Sequence, residues 1–212
     1  MIPHVRNKRY LIGKSEAGGK KVGKIIYAAL TSLDGFIADD NGNFDWAQPG
    51  EDLHTFINTL ELKNGTMILG RAMYEVLSVW EDLPDIDSQP EYIKEYQSAW
   101  KRTRKIVIST SLREASTSNT GIIRHLNRAG IEEIKKNEPE NIGIGGASVA
   151  SQVLAMGLID EIYRFIFPIM VGSGKPWLTS VKPVRLEKIE SGEFDDGVVM
   201  IRYEVGQTGL YT

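Results

Sequence analysis

The glycines that follow one short apolar run have the type and spacing to bind a phosphate. The run Asn141-Ile142-Gly143-Ile144 is typical of a buried strand, because isoleucine is β-branched. Gly145 and Gly146 then permit a positive φ or a close approach, and residues 147–156 carry apolar side chains at helical spacing. A strand that turns through glycine into a helix leaves free N–H groups where a phosphate is favoured. The alternative is an ordinary tight turn.

A second junction of this kind carries a cationic side chain. Residues 66–69 predict a strand, and Gly70-Arg71 leads directly into a helix. Because the arginine fork donates two parallel hydrogen bonds, Arg71 suits phosphate recognition, although a surface salt bridge is an alternative role. Ser109 and Thr110 end a third apolar strand. Their hydroxyls suit either a phosphate or the cap of the next turn.

These glycines match the dinucleotide-binding fingerprint only in part. Ser148 stands where the last glycine of that fingerprint belongs. No acidic residue follows a second strand at the usual distance of about 20 residues. The pattern therefore favours a different phosphate-binding α/β fold over the Rossmann fold.

The order of predicted elements indicates an α/β protein. The early strands are short and apolar, which is typical of a mostly parallel sheet with helices on both faces. The late strands are joined through Gly192 and Asp195-Asp196-Gly197, which predicts an antiparallel C-terminal edge. Strands are predicted over 24–31, 66–69, 105–108, 121–124, 142–144, 162–170, 185–190 and 198–205, and helices over 51–63, 71–80, 90–101, 129–137 and 147–156.

Length and composition bound the remaining possibilities. The 212 residues suit one domain, predicted over 24–205, between a basic extension at 1–23 and a tail at 206–212. A net charge of −3 argues against a nucleic-acid binder that relies on positive charge. With no cysteine, disulfides, thiolate catalysis and cysteine-ligated zinc are excluded, and three scattered histidines argue against a histidine-rich metal site. No membrane-length apolar run or signal peptide is present, so we expect a cytoplasmic protein.

Six short motifs follow one another along residues 24–205. In order, they are Ala28-Ala29-Leu30 with Asp34-Gly35-Phe36-Ile37-Ala38, Trp46 with Asp52-Leu53-His54-Thr55-Phe56, Ile68-Leu69-Gly70-Arg71, Val107-Ile108-Ser109, Gly145-Gly146-Ala147-Ser148, and Gly157-Leu158-Ile159-Asp160-Glu161 with Pro168 and Gly172-Ser173-Gly174. Together they resemble the dihydrofolate reductase-like superfamily. The closer resemblance is to the reductase domain of the riboflavin-biosynthesis deaminase/reductase and its stand-alone relatives.

The resemblance implies a three-layer dihydrofolate reductase-like fold and an NADPH-dependent reductase that forms a homodimer. It implies that one set of residues holds the adenosine end and 2′-phosphate of the cofactor, namely Gly70, Arg71, Ser109 and Thr110. A second set would take the pyrophosphate, namely Gly145, Gly146, Ala147, Ser148 and Val149. Ala29 and Ile37 would line the nicotinamide slot.

Two further residues are candidates for the chemical step. Asp52 would manage a proton or anchor the substrate, since it borders the apolar stripe of its helix beside Phe56. The alternative is a first-turn carboxylate that interacts with the helix dipole. Trp46 would cover the pocket, and its alternative is a loop anchor.

Some features keep other functions open. Met73 stands where the family usually has threonine, and basic residues for a phosphorylated ribose are not identified. The leading hypothesis is hydride transfer to a pterin- or pyrimidine-like substrate, including a ribosylamino-pyrimidine. A non-catalytic nucleotide-binding protein is the alternative. A third hypothesis is a structural dimer with Phe165, Phe167 and Trp177 at its interface.

Overall fold

A computed structural model describes residues 23–179 and 182–208. The predicted N-terminal extension up to Val22 and the end of the predicted tail, 209–212, lie outside the described residues. The described residues form ten strands, β1 (Ile25–Ser32), β2 (Phe36–Ala38), β3 (Asn64–Gly70), β4 (Arg104–Ile108), β5 (Thr120–Ile123), β6 (Asn141–Gly145), β7 (Glu161–Phe167), β8 (Lys175–Pro176), β9 (Val184–Glu193) and β10 (Val199–Thr208). They also form five α-helices, α1 (Glu51–Glu61), α2 (Arg71–Leu77), α3 (Glu91–Arg102), α4 (Arg128–Asn137) and α5 (Ala147–Ala155).

Eight strands form one sheet in the order β5-β4-β3-β6-β1-β7-β10-β9. The first six are parallel to their neighbours, whereas β10 is antiparallel to both β7 and β9. The mostly parallel sheet with an antiparallel C-terminal edge is therefore confirmed. A small separate ribbon pairs β2 with β8.

Helices cover the sheet on both faces. Alternate residues of β1 point to opposite sides, so Tyr27 and Ala29 join the apolar cluster of α4 and α5, while Ile26 joins the cluster of α1. On the side of α1, helices α2 and α3 bury Tyr74 and Trp100 against β3 and β4. The predicted three-layer fold is confirmed.

Local chemistry explains where two elements end. Helix α5 stops at a glycine with positive φ, because Gly157 has φ +66° and its N–H and that of Leu158 donate to the carbonyls of Leu154 and Val153. Strand β7 ends at Phe167, three residues before the predicted end, because Pro168 follows and cannot donate a ladder hydrogen bond.

Candidate active site

Two neighbouring strands send their chains to opposite faces of the sheet. Strand β3 runs into α2 on the side of α1, and strand β6 runs into α5 on the other side. The two strands pair in parallel, with Leu69 opposite Gly145. In open α/β sheets, ligands bind outside the carboxyl ends of the strands where connections diverge in this way. The two glycine junctions therefore lie at the expected place for a ligand.

The two junctions touch each other. A Cβ added to Gly146 would lie 3.5 Å from the Met73 Cβ atom and 3.8 Å from the backbone nitrogen of Gly70. Gly146 has φ +99°, a conformation that non-glycine residues rarely adopt. At Gly145 an added Cβ would lie 2.4 Å from Leu69 Cδ2, so a side chain there would require Leu69 to shift. Met73, which replaces the expected threonine, forms an apolar wall beside the turn.

Only part of the predicted pyrophosphate segment is accessible. Ala147 and Val149 are buried in the core, whereas Ser148 is exposed and Gly145 and Gly146 are half-buried. A ligand at this turn would therefore meet backbone N–H groups and the hydroxyl of Ser148. That hydroxyl lies 3.5 Å from the Gln152 side chain, which also donates to the Ser148 carbonyl at 3.1 Å.

Arg71 reaches from its own junction to the end of the neighbouring strand β4. Its Nε donates to Glu75 Oε1 and its Nη1 donates to Ser111 Oγ, each at 2.7 Å. The side chains of Arg71 and Glu75 are 48% and 50% exposed, so their salt bridge contributes little to the stability of the fold. The guanidinium is thus directed toward a hydroxyl-rich loop.

The loop after β4 is held by its own hydrogen bonds. Ser109 is buried, and its hydroxyl accepts from the backbone N–H groups of Ser111 at 3.3 Å and Leu112 at 2.9 Å. Arg124 Nη1 donates to the carbonyls of Ser109 at 2.8 Å and Leu112 at 2.6 Å. The Ser109 side chain therefore caps a turn, while Thr110 is exposed.

Ser111 and Arg124 were not among the predicted site residues. Ser111 closes the Ser-Thr-Ser run after a predicted strand, Arg124 ends another predicted strand, and the partners of both side chains lie in other segments of the chain. The Ser-Thr-Ser run was a usable signal for Ser111. No local pattern marks Arg124, because its contact depends on the pairing of β5 with β4.

The two predicted nicotinamide residues are not equally accessible. Ala29 is 5% exposed and packs with the α5 cluster, whereas Ile37 on β2 is half-buried. On the opposite side of β1, Ala28 and Leu30 are half-buried and pack beside α1. Any ligand at the end of β1 would therefore reach these two side chains before Ala29.

Trp46 lies beyond β1, at the end of β7. Its ring packs edge-on against Phe167, with centroids 6.1 Å apart and an interplanar angle of 78°. The Trp46 indole Nε1 is buried and has no hydrogen-bond partner among the described residues. A buried N–H without an acceptor is costly, so this group suits the oxygen or nitrogen of a bound molecule.

Asp52 is tied to a turn in the antiparallel part of the sheet. Its Oδ2 accepts from the backbone N–H of Asp195 at 2.9 Å, and its Oδ1 accepts from the N–H of Leu53 at 2.7 Å. The side chain thus stabilises the start of α1 and the β9–β10 turn. Both oxygens retain further lone pairs for a ligand.

A groove lies on the far side of the Ser109 loop. It encloses about 420 Å³ between α4 and strands β4 and β5. Its apolar floor includes Ile106 and Ile131, and its lining continues to His125 and Leu126. The groove adjoins the loop because the Ser109 N–H donates to the carbonyl of Ile123, another lining residue. Gly70, Gly146 and Asp52 do not line it.

No metal-binding group of three or more histidine or acidic residues is present within the described ranges. Nor does that part of the chain contain a helix long and apolar enough to cross a membrane.

Comparisons with known proteins identify the family and the fold. Residues 23–200 match the family described as the RibD C-terminal domain. The uncharacterized protein YyaP of Bacillus subtilis (strain 168) is 29% identical over 188 residues, which are 85% of this chain and 94% of YyaP.

Two solved structures share the fold. A protein assigned to riboflavin biosynthesis from Shewanella sp. PV-4 has a TM-score of 0.70 at 20% identity, covering 87% of this chain and 99% of that one. Dihydrofolate reductase from Enterococcus faecalis, complexed with NADP(H) and RAB-propyl, has a TM-score of 0.58 at 17% identity. The match covers 88% of this chain and 98% of that one. At such identities the likeness concerns the fold alone.

Proposed function

The chain belongs to the RibD C-terminal domain family, and from that premise we propose that it is an NADPH-dependent reductase of a pterin- or pyrimidine-like heterocycle, which includes ribosylamino-pyrimidines. The observation that carries the proposal is the contact between the Gly70 and Gly146 junctions at the diverging strands β3 and β6. The family and the fold support a reductase-like function, and the choice of NADPH and substrate is the proposed part.

The strand order supports the proposed placement of each part of the cofactor. Strands β4, β3, β6 and β1 are consecutive, so their carboxyl ends span about 14 Å at the usual strand spacing. The Arg71–Ser111 pair at β4 would hold the 2′-phosphate. The Gly146 turn at β6 would hold the pyrophosphate, and Ile37 beyond β1 would border the nicotinamide.

Three features make these residues a reasonable fit to NADPH. Arg71 already donates one charge-assisted hydrogen bond toward a hydroxyl and is half-exposed, so it can also meet a phosphate. Gly146 has no side chain to cover the turn. Even a Cβ added there would lie at an ordinary contact distance, 3.5 Å, from the Met73 Cβ atom. The groove beyond Ser109 has an apolar floor that suits an adenine ring.

The protein would contribute position and proton handling. When bound, NADPH supplies the hydride. The Trp46 N–H, which has no hydrogen-bond partner among the described residues, would donate to a carbonyl or ring nitrogen of the heterocycle. Asp52 would anchor an N–H group of the substrate through its remaining lone pairs, while its bond to Asp195 fixes its orientation. A homodimer and a cytoplasmic location stay predictions.

A substrate panel tests the proposal. NADPH oxidation is followed at equal enzyme concentration with dihydrofolate, dihydropterins and ribosylamino-pyrimidines. We expect turnover of one substrate class, preceded by NADPH binding in a fluorescence titration. NADPH binding without turnover of any class would favour the non-catalytic nucleotide-binding protein, which Met73 keeps open. Absence of NADPH binding would exclude both functions.

A further inference from the structure

Tyr74 is a buried tyrosine that the proposed site does not use. It lies three residues after Arg71 on α2, so the two side chains share one face of the helix. The Ser109 loop, residues 109–119, joins β4 to β5 and begins near Arg71, which contacts Ser111. Tyr74 is 2% exposed and belongs to an apolar cluster against which Leu112 of the loop packs. Helix α2 therefore meets the loop through both side chains.

The hydroxyl of Tyr74 bonds to the far part of the loop. Its oxygen accepts from the backbone N–H groups of Ser116 at 2.8 Å and Thr117 at 3.2 Å. The side-chain hydroxyls of the same two residues lie 3.1 and 3.2 Å from it. Thr117 is buried, so its N–H would be left without this acceptor in a place with little access to water. The phenol oxygen thus holds two consecutive residues of the loop backbone.

The hydroxyl hydrogens around Tyr74 follow one direction. Thr120 Oγ1 donates to the Ser118 carbonyl at 2.8 Å, so it accepts in its 2.7 Å contact with Thr117 Oγ1. Because that contact uses the single hydroxyl hydrogen of Thr117, Thr117 Oγ1 accepts from Tyr74. The phenol therefore donates one hydrogen bond and accepts two from the backbone. Phenylalanine would keep the ring and lose all of these bonds.

The other anchors of the loop start lie on the sheet. Arg124, which directly follows β5, donates to the Ser109 carbonyl at 2.8 Å. The bond between Arg71 and Ser111 joins two exposed side chains, so it constrains the loop weakly. Tyr74 instead ties the loop backbone to α2, the helix that carries Arg71. Its hydroxyl therefore sets the gap between the Arg71 guanidinium and the loop.

We propose that Tyr74 is a positioning residue for the 2′-phosphate of the cofactor, because its hydroxyl fixes the Ser109 loop opposite Arg71 before the cofactor binds. This inference rests on the proposed function. Tyr74 is buried and acts through the loop, without touching the phosphate itself. NADH lacks the 2′-phosphate and does not depend on this gap. The Tyr74 hydroxyl would thus contribute to the choice of NADPH over NADH.

Tyr74→Phe tests the proposal in the whole chain. The ring packing is retained, so circular dichroism should show the native fold. In fluorescence titrations the NADPH dissociation constant should rise about 10-fold, because binding must then order the loop, while that of NADH should change less than about two-fold. In the free protein, amide hydrogen exchange at Ser116 and Thr117 should be faster than in the wild type, since both N–H groups lose their acceptor.

Tyr27→Phe is the matched control. Tyr27 is also 2% exposed, and its hydroxyl donates to the Trp177 carbonyl at 2.7 Å in the cluster on the opposite face of the sheet. This variant also loses a buried hydroxyl, so urea unfolding should show a loss of stability in both variants. Its ratio of NADPH to NADH affinity should remain that of the wild type.

Thr117→Val is a second variant, which breaks the hydroxyl chain without changing α2. It should raise the NADPH dissociation constant by a smaller factor than Tyr74→Phe and leave that of NADH unchanged. This variant decides the question if Tyr74→Phe does not fold.

The outcomes separate this role from the proposed function. Unchanged amide exchange in Tyr74→Phe, an equal fall in affinity for both cofactors, or the same change of ratio in Tyr27→Phe would overturn the role of Tyr74 and leave the proposed function intact. A wild type that does not prefer NADPH would instead overturn the choice of cofactor in the proposed function, and this role with it.

Discussion

Arg71 has two contacts that separate its structural role from its binding role. The bond to Glu75 lies within α2, and the bond to Ser111 crosses to the end of β4. A charge-assisted hydrogen bond contributes about 1.5–3 kcal/mol. We predict that Arg71→Ala weakens NADPH binding roughly 10- to 100-fold and leaves NADH binding nearly unchanged, as measured by fluorescence titration.

The Arg128–Glu132 pair supplies the control for this prediction. It has the same spacing on α4, a 2.8 Å contact and similar exposure. Arg128→Ala should leave affinity for both cofactors unchanged. Equal losses for NADPH and NADH in the Arg71 variant would contradict the phosphate assignment.

Asp52 combines a structural contact with a predicted catalytic one. Its carboxylate holds the N–H of Asp195, and asparagine can keep that bond through its carbonyl oxygen. We predict that Asp52→Asn retains NADPH binding but lowers turnover of the true substrate 10²- to 10⁴-fold, the usual loss for a positioned acid or base. Its pH–rate profile should also lose one limb.

Glu51→Gln is the control for a mere loss of charge in the first turn of α1. It should leave turnover and the pH–rate profile unchanged. An Asp52→Asn enzyme with wild-type turnover would mean that this carboxylate only stabilises the start of the helix and the β9–β10 turn.

Residue types predicted the kind of chemistry better than they predicted the hydrogen-bond partners of each side chain. Glycine and arginine at strand ends indicated a phosphate site, because their capacities are local. That Arg71 meets Ser111, or that Ser109 turns inward to cap a loop, depends on neighbouring strands. The buried N–H of Trp46, which has no partner in the described part of the chain, is likewise visible only in the folded chain.

At the scale of elements, the β6–α5 junction depends on one backbone conformation. Gly146 has φ +99°, so a β-branched residue there adds strain of about 1–3 kcal/mol. It would also place methyl groups where the pyrophosphate is predicted to approach. We predict that Gly146→Val abolishes NADPH binding while leaving a folded protein, checked by titration and circular dichroism.

Gly42 provides a matched position with φ +82° and no atom within 4 Å of an added Cβ. Gly42→Val should carry similar strain but bind NADPH normally. Loss of the fold in the Gly146 variant would mean that the glycine is purely structural. Normal affinity would remove it from the site.

Periodicity located the long elements and missed the short ones. Helices α1, α3, α4 and α5 were predicted within three residues at each end, because each has an apolar stripe. The β2–β8 ribbon was not predicted, since two or three residues cannot show an alternating pattern. The helix after Gly70 ends earlier than expected, and Trp80 lies in a separate helical turn.

At the scale of the whole molecule, strand order converts distant motifs into one site. Gly70 and Gly146 are far apart in the chain, yet β3 and β6 are neighbours. The sequence predicted a parallel sheet but not this order. The resemblance supplied the fold because six weak motifs in a fixed order carry information that no single motif carries.

Global stability should depend on a histidine buried between α1 and α3. His54 is 8% exposed and its ring lies against Tyr92 and Tyr96, at centroid distances of 5.0 and 5.4 Å. Asn58 Nδ2 donates to the Tyr92 carbonyl at 2.7 Å, so its oxygen is left to accept from His54 Nδ1 at 3.2 Å. The neutral ring is thus satisfied at Nδ1, and a second proton would place a charge among aromatic rings.

Burial lowers the pKa of His54 below its ordinary value of 6.5, and the bond to Asn58 only partly opposes this. As pH falls through about 6.5, His54 therefore becomes protonated in the unfolded chain while it is still neutral in the folded chain. The stabilisation is present above that pH and is lost below it, with a slope of at most about 1.4 kcal/mol per pH unit from this one group.

Urea unfolding at several pH values between neutral and mildly acidic should show this loss in the wild type and in His125→Gln, because His125 is exposed. His54→Gln should be less stable at neutral pH but should lose less stability on acidification. An unchanged slope in that variant would assign the acid sensitivity to other groups.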